Sequence, residues 1–218
     1  MSRTLLEPAQ PGRNASQRVL LLPPAYSQPE DFVREGFVAA VRERGLDLDL
    51  VLIELRLQSV TDRGVLEELA RLIVAARTAG CLSVWLGGIS LGSYIALACA
   101  ERHFREIDGL CLFAPYLGSH IVTQEIERAG GVGGWDPGEL APEDEERRIW
   151  RFIQRQARGP LPIHLGLGRD DRFGARHRTL AAALDARHVD VVPGGHEWPV
   201  WRTLWERLLD ARFERQPA

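Results

Sequence analysis

Six short, almost wholly apolar runs are spaced along this chain by longer amphipathic stretches, and that alternation limits the fold more than any other feature. The runs lie near 18–22 (RVLLL), 48–54 (LDLVLIE), 83–87 (SVWLG), 109–114 (GLCLFA), 161–167 (LPIHLGL) and 187–192 (RHVDVV). Runs of this length, rich in Leu, Val and Ile, read as strands covered on both faces. Such strands separated by helical stretches make βαβ units around a parallel sheet. Helices are expected at about 29–44, opening with Pro29, Glu30 and Asp31 and stopping at Gly45; at about 64–79, stopping at Gly80; from just after Ser90 to about His103; and at about 197–214. In the last of these, Trp198, Trp201, Trp205 and Leu208 recur at three- and four-residue spacing and form one apolar stripe, read as core packing.

A chain of 218 residues suits one mid-sized domain, and with 45% hydrophobic and 26% charged residues it has the make-up of a folded one. The net charge of −3 supplies no basic field for nucleic acid or anionic lipid. All 27 basic residues are Arg, which excludes Schiff-base chemistry and a P-loop, since both need a lysine amine. Cys81, Cys99 and Cys111 are odd in number, sit among apolar residues and form no C-x-x-C pair, so they are expected as reduced core thiols. No histidine pair has metal-ligand spacing and no dinucleotide fingerprint is present, so neither metal nor cofactor is expected. The absence of an apolar leader or a membrane-length run points to a cytoplasmic protein without a membrane span.

The stretch 119–160 is too long for a simple crossover and reads as a small helical insertion. Residues 1–17 read as a flexible tail, and 18–118 with 161–218 as the core. Within the insertion AGGVGGW is expected to be flexible. After it, Pro142, the acidic run from Glu143 to Glu146, Arg155, Arg158 and the Gly159-Pro160 stop mark a helix. Glu143/Arg147 and Asp144/Arg148 sit four apart, so this helix is expected to be solvated and braced by those pairs.

The chemistry is concentrated where the third strand meets the next helix, at Gly88-Ile89-Ser90-Leu91-Gly92. A Ser on a sharp strand-to-helix turn occupies strained backbone, and its neighbours two residues away must lack side chains for strand and helix to approach. From the Gly and Ser content, about 0.07 chance matches to G-x-S-x-G are expected in a chain this long. A Ser nucleophile needs a base, and the base needs an acid to orient it. Past the ends of the fifth and sixth strands stand Gly168-Arg169-Asp170-Asp171-Arg172 and Pro193-Gly194-Gly195-His196-Glu197-Trp198, at the sheet edge where α/β proteins bind ligands. Either aspartate fits at this point. Among the other histidines, His103 and His177 fall on helices, His188 starts a strand, and His164 lies inside one as an expected satisfied core imidazole.

These motifs, spread from about residue 18 to 205, resemble the α/β-hydrolase superfamily, with Gly88 to Gly92 similar to its nucleophile elbow. The resemblance implies an α/β-hydrolase fold: a mostly parallel sheet of about six strands flanked by helices, with a small helical cap insertion. The family's first two antiparallel strands would be missing or reduced to the tail, leaving an all-parallel sheet. It further implies Ser90 as nucleophile, His196 as general base and, from the family's spacing after Gly168, Asp171 rather than Asp170 as the acid. LLPPAYSQPEDF resembles the oxyanion loop, although Pro23-Pro24 stands where the family commonly has His-Gly. Pro24 has no N–H, so Ala25 is expected to donate, with Tyr26 behind it and Leu91 as the second donor. Tyr26, Tyr116 and His120 are expected near the substrate.

The activity so implied is hydrolysis of a small carboxylic ester or thioester through an acyl-enzyme. Acyl transfer or perhydrolysis at the same triad, and a non-catalytic binding module on the same fold, are the alternatives. A decayed enzyme would have lost Ser, His or the acid, and all three are present.

Overall fold

The computed structural model describes residues 3–55 and 64–213. Its strands are β1 (Thr4–Glu7), β2 (Gln17–Leu22), β3 (Leu48–Ile53), β4 (Ser83–Ile89), β5 (Gly109–Phe113), β6 (Ile163–Gly168) and β7 (Val189–Val192). They form one sheet in the order β1-β3-β2-β4-β5-β6-β7, parallel throughout except for the β1–β3 pair. The sheet therefore has seven strands, and it is not all-parallel. The segment expected as a tail supplies an antiparallel edge, half-exposed and only four residues long.

Within β2, Leu20 and Leu22 join one core cluster while Val19 and Leu21 join the other, the period-two alternation of a strand with both faces covered. Helices α1 (Pro29–Arg34), α2 (Phe37–Glu43) and, near the C-terminus, α8 (Trp198–Arg212) cover the face of Val19 and Leu21. Helices α3 (Gly64–Thr78), α4 (Leu91–His103) and α6 (Glu145–Gln156) cover the other. Helices α5 (His120–Arg128) and α7 (Gly174–Ala181) pack against each other beside that second layer. Full burial of the largest of these side chains, Trp150, Trp205 and Phe37, contributes roughly 1.5–3 kcal/mol each.

Two local expectations change. The stretch 29–44 is two helices, broken at Gly36, whose φ of 83° is the left-handed conformation that ends a helix. Arg202 donates to the Glu35 carbonyl at 3.2 Å, so a partner 167 positions away satisfies an acceptor at the break. The insertion helix starts at Glu145 rather than Pro142, with Asp144 as its cap accepting from the Arg147 N–H. It is not a solvated helix: Ile149, Trp150, Phe152 and Ile153 are buried, and it packs on α4. The expected four-apart pairs are replaced by Arg147 with Glu125 and Asp144, and by Arg148 with Glu101. The glycine-rich stretch before it is pinned by the Gln154 amide, which donates to the Val132 and Trp135 carbonyls at 2.7 Å each.

The chain runs outward from β2 to β3 and then returns across β2 to β4, so the topological switch lies between β2 and β4. That is where an open α/β sheet leaves a crevice at its carboxyl edge.

Candidate active site

Ser90 follows β4 directly and holds φ 52° and ψ −113°, outside the region that a side chain other than Gly favours. The turn is anchored by Ser90 N–H to the Phe113 carbonyl at 2.9 Å and by Tyr116 N–H to the Ser90 carbonyl at 3.0 Å. The two flanking glycines are sterically required. A Cβ on Gly92 would lie 2.3 Å from the Leu22 carbonyl oxygen, and one on Gly88 would lie 2.3 Å from the Gly92 backbone. This close approach brings the end of β2, and the loop 23–27 after it, against the start of α4. The other described non-glycine residues with positive φ are Tyr26 and Ala114, and all three follow carboxyl ends of strands. Backbone strain is thus gathered at one edge of the sheet, as at functional sites.

β6 and β7 pair in parallel with Gly168 opposite Val192, so the loops after them emerge side by side. They bring His196 Nδ1 to 2.7 Å from Asp171 Oδ2, with the carboxylate side chain fully buried. The other Asp171 oxygen accepts the Phe173 N–H at 2.8 Å. Burial alone would raise the Asp171 carboxyl, but the hydrogen bonds from His196 and the Phe173 N–H outweigh it and hold it below the ordinary carboxylate range. Asp170 is exposed and faces elsewhere, its carboxylate taking the Gly194 N–H at 3.3 Å. The His196 ring is wedged edge-on between Phe173 at 5.2 Å and Trp201 at 5.0 Å.

Ser90, His196, Ala25 and Tyr26 line one cleft of about 620 Å³, together with Trp198, Trp201 and the charged Glu35, Arg172 and Glu197. Leu91 opens α4, so its N–H belongs to the first helical turn and lacks an intrahelical acceptor. Tyr116 and His120 lie outside this cleft. Tyr116 packs between Tyr94 and Phe173, and His120 lines a neighbouring cleft that shares Arg172. No sequence signal singles out Phe173 or Arg172, and the spacing of Trp201 points to core packing alone. It is buried, but it also lines the cleft and touches His196, which no local periodicity could reveal.

The three cysteines are free and buried, and no group of three or more His, Cys, Asp or Glu side chains among the described residues could hold a metal ion. No helix among the described residues is long and apolar enough to cross a membrane.

A mostly parallel seven-stranded sheet with helices on both faces, in this strand order, is the α/β-hydrolase fold. Solved structures of that fold superpose on most of the chain. S-formylglutathione hydrolase from Staphylococcus aureus matches with TM-score 0.65 and 11% identity over 89% of this chain and 80% of its own. Fluorophosphonate-binding serine hydrolase F from Staphylococcus aureus, substrate bound, matches with TM-score 0.66 and 12% identity over 89% and 82%. A predicted CIB-like hydrolase from Thermoplasma acidophilum matches with TM-score 0.61 and 13% identity over 96% and 93%. At the sequence level no protein-family model matches the chain, and no curated protein does.

Proposed function

We propose that this protein is a serine hydrolase that cleaves a small carboxylic ester or thioester through an acyl-enzyme. One observation carries the reading: a Ser on a strained strand-to-helix turn opens into the same cleft as a histidine whose far nitrogen is bonded to a buried carboxylate. The names of similar structures, an S-formylglutathione hydrolase and a fluorophosphonate-binding serine hydrolase, agree with it. A cleft of about 620 Å³ also falls within the range usual for small-molecule sites.

In this mechanism Ser90 Oγ forms a bond to the acyl carbon while its proton passes to His196 Nε2. The carbonyl π electrons move to the oxygen, which takes hydrogen bonds from the Ala25 and Leu91 N–H groups. Collapse breaks the bond to the leaving oxygen or sulfur, and His196 returns the proton to it. Water then repeats the sequence, with His196 as base, to release the carboxylic acid and free Ser90. Asp171 stays ionised throughout, fixing the Nδ1–H tautomer and stabilising the imidazolium. Trp198 and Trp201 offer apolar surface to the substrate, and Arg172, Glu35 and Glu197 set the charge of the cleft.

The test is labelling of the full chain with a fluorophosphonate, followed by peptide mapping and a panel of nitrophenyl esters of increasing acyl length. Label on the Ser90 peptide, lost in Ser90→Ala together with ester turnover, is the expected result. Folded wild-type protein that takes no label and turns over no ester would favour the binding-module alternative.

A further inference from the structure

Two buried imidazoles outside the proposed triad hold a ring nitrogen with no hydrogen-bond partner among the described residues. One is Nε2 of His164, so this residue is not the satisfied core imidazole expected from sequence. It is the second residue of β6, wedged between Trp85 and His188 toward the strand end away from Ser90. The other is Nδ1 of His177, which is 2% exposed in α7 and shares the Phe173 ring with His196.

Nε2 of His177 lies 3.0 Å from the Pro115 carbonyl oxygen. A carbonyl only accepts, so Nε2 carries the proton and donates, which leaves Nδ1 as a buried lone pair. Burial lowers the pKa of this imidazole, outweighing the Asp171 charge and the Pro115 bond that favour its cation, so the ring is neutral at neutral pH. A buried nitrogen without a partner costs stability, and an apolar side chain of similar size would avoid that cost. What the imidazole supplies in return is the bond to Pro115.

That bond bridges the two halves of the site. α7 begins at Gly174, whose N–H donates to the Asp171 carbonyl at 2.9 Å, directly after the turn that carries the acid. Phe173, in the same turn, packs on His196 at 5.2 Å and meets the His177 ring at 6.3 Å. On the other side, Pro115 stands between Ala114, at φ 44°, and Tyr116, whose N–H donates to the Ser90 carbonyl at 3.0 Å. His177 thus ties the segment that sets Asp171 and His196 to the segment that holds the Ser90 turn. Arg176 adds a second tie from α7, donating to the Gly118 carbonyl at 3.0 Å.

We propose that His177 is a positioning residue for the Ser90 reaction: its Nε2–H, on Pro115, keeps Asp171, Phe173 and through them His196 in register with the nucleophile. The inference rests on the proposed role of Ser90. His177 does not line the Ser90 cleft and acts only through these neighbours. Its effect is on rate, because a misplacement of about 1 Å can cost on the order of 10²-fold.

The experiment measures steady-state kinetics of the full-length wild type, His177→Gln, His177→Asn and His177→Leu on one nitrophenyl ester, with the folded fraction of each taken from urea unfolding. The amide nitrogen of Gln falls near the place of the ring Nε2, whereas that of Asn falls near Nδ1 and is too short to reach Pro115. Per folded molecule, kcat should fall at least about tenfold in His177→Asn and His177→Leu with KM within about threefold of wild type. His177→Gln, which restores the donor, should recover at least about threefold of that loss. If His177→Leu does not fold, the Asn and Gln variants decide. A smaller loss, a loss carried by KM, or no such recovery in His177→Gln overturns this inference while the active wild type leaves the Ser90 reading standing. Wild type that takes no fluorophosphonate label and turns over no ester overturns both.

Discussion

His196 Nδ1 donates to Oδ2 of Asp171 across 2.7 Å, and the accepting carboxylate has no solvent-exposed side-chain surface. A carboxylate in that position accepts the Nδ1–H, which selects the tautomer whose other ring nitrogen carries the free lone pair. Asp171→Asn keeps the volume but offers an amide that favours the wrong tautomer, so kcat should fall on the order of 10⁴-fold with the fold retained. Asp170→Asn loses only a long, exposed contact to the Gly194 N–H and should change kcat by no more than about threefold. Steady-state kinetics of both variants on one nitrophenyl ester decides between the two aspartates, and a larger loss at Asp170 would reverse the assignment.

The same contact makes stability depend on pH in a defined direction. The folded Asp171 carboxyl sits below its unfolded value, since the His196 and Phe173 hydrogen bonds outweigh burial. Its contribution is therefore complete above the unfolded value of about 3.9 and is lost as pH falls through the folded one. In urea titrations, the stability gap between wild type and Asp171→Asn should shrink as pH falls from about 5 to about 3. A gap that stays level down to about pH 3 would show that the carboxylate gains nothing from its partners.

How much of this was legible in sequence follows from the range of the forces involved. The elbow was, because the G-x-S-x-G spacing by itself marks a tight strand-to-helix turn, although only Gly88 answers to that turn and Gly92 answers to Leu22 at the end of β2. The loops carrying Asp171 and His196 were, because apolar runs mark the strand ends they follow. β1 was not: its four residues are half-exposed and stabilised chiefly by pairing with β3, a partner more than forty positions away. The contact of Arg202 with the break at Gly36, like those of the Phe173 and Trp201 rings with His196, forms only in three dimensions. His164 looked like any core residue because an unpartnered nitrogen leaves no mark on sequence.

Gly92 offers a steric prediction. The Cβ of Gly92→Ala would meet the Leu22 carbonyl oxygen at 2.3 Å, and backbone cannot rotate out of the way as a side chain can. The variant should lose about 1–3 kcal/mol of stability, and kcat should drop because relief of the clash displaces Ser90. Gly133→Ala adds a methyl group into open space and should stay within about 0.5 kcal/mol. Equal stability of the two in denaturant titrations would mean that the approach of β2 to α4 is looser than drawn.

Asp49 ties the N-terminal segment to the sheet. It lies in β3 with 1% exposure and accepts the Ala9 and Ala15 N–H groups at 2.9 and 3.1 Å and the buried Arg18 guanidinium at 3.3 Å. Asp49→Ala leaves all three donors without that acceptor and Arg18 as a buried cation without its carboxylate, which should cost about 3–5 kcal/mol. Replacing both members, Arg18→Met with Asp49→Leu, removes the charge along with its partner and should recover much of the loss, because the desolvation cost of the pair disappears with it. Both residues sit near the amino ends of their strands, away from Ser90, so kcat of the folded fraction should be unchanged. Urea unfolding of the single and double variants checks this, and a single variant that loses less than about 1 kcal/mol would show that the segment is held by its other ties, the β1–β3 ladder and the bonds of Ser16 to Asp47.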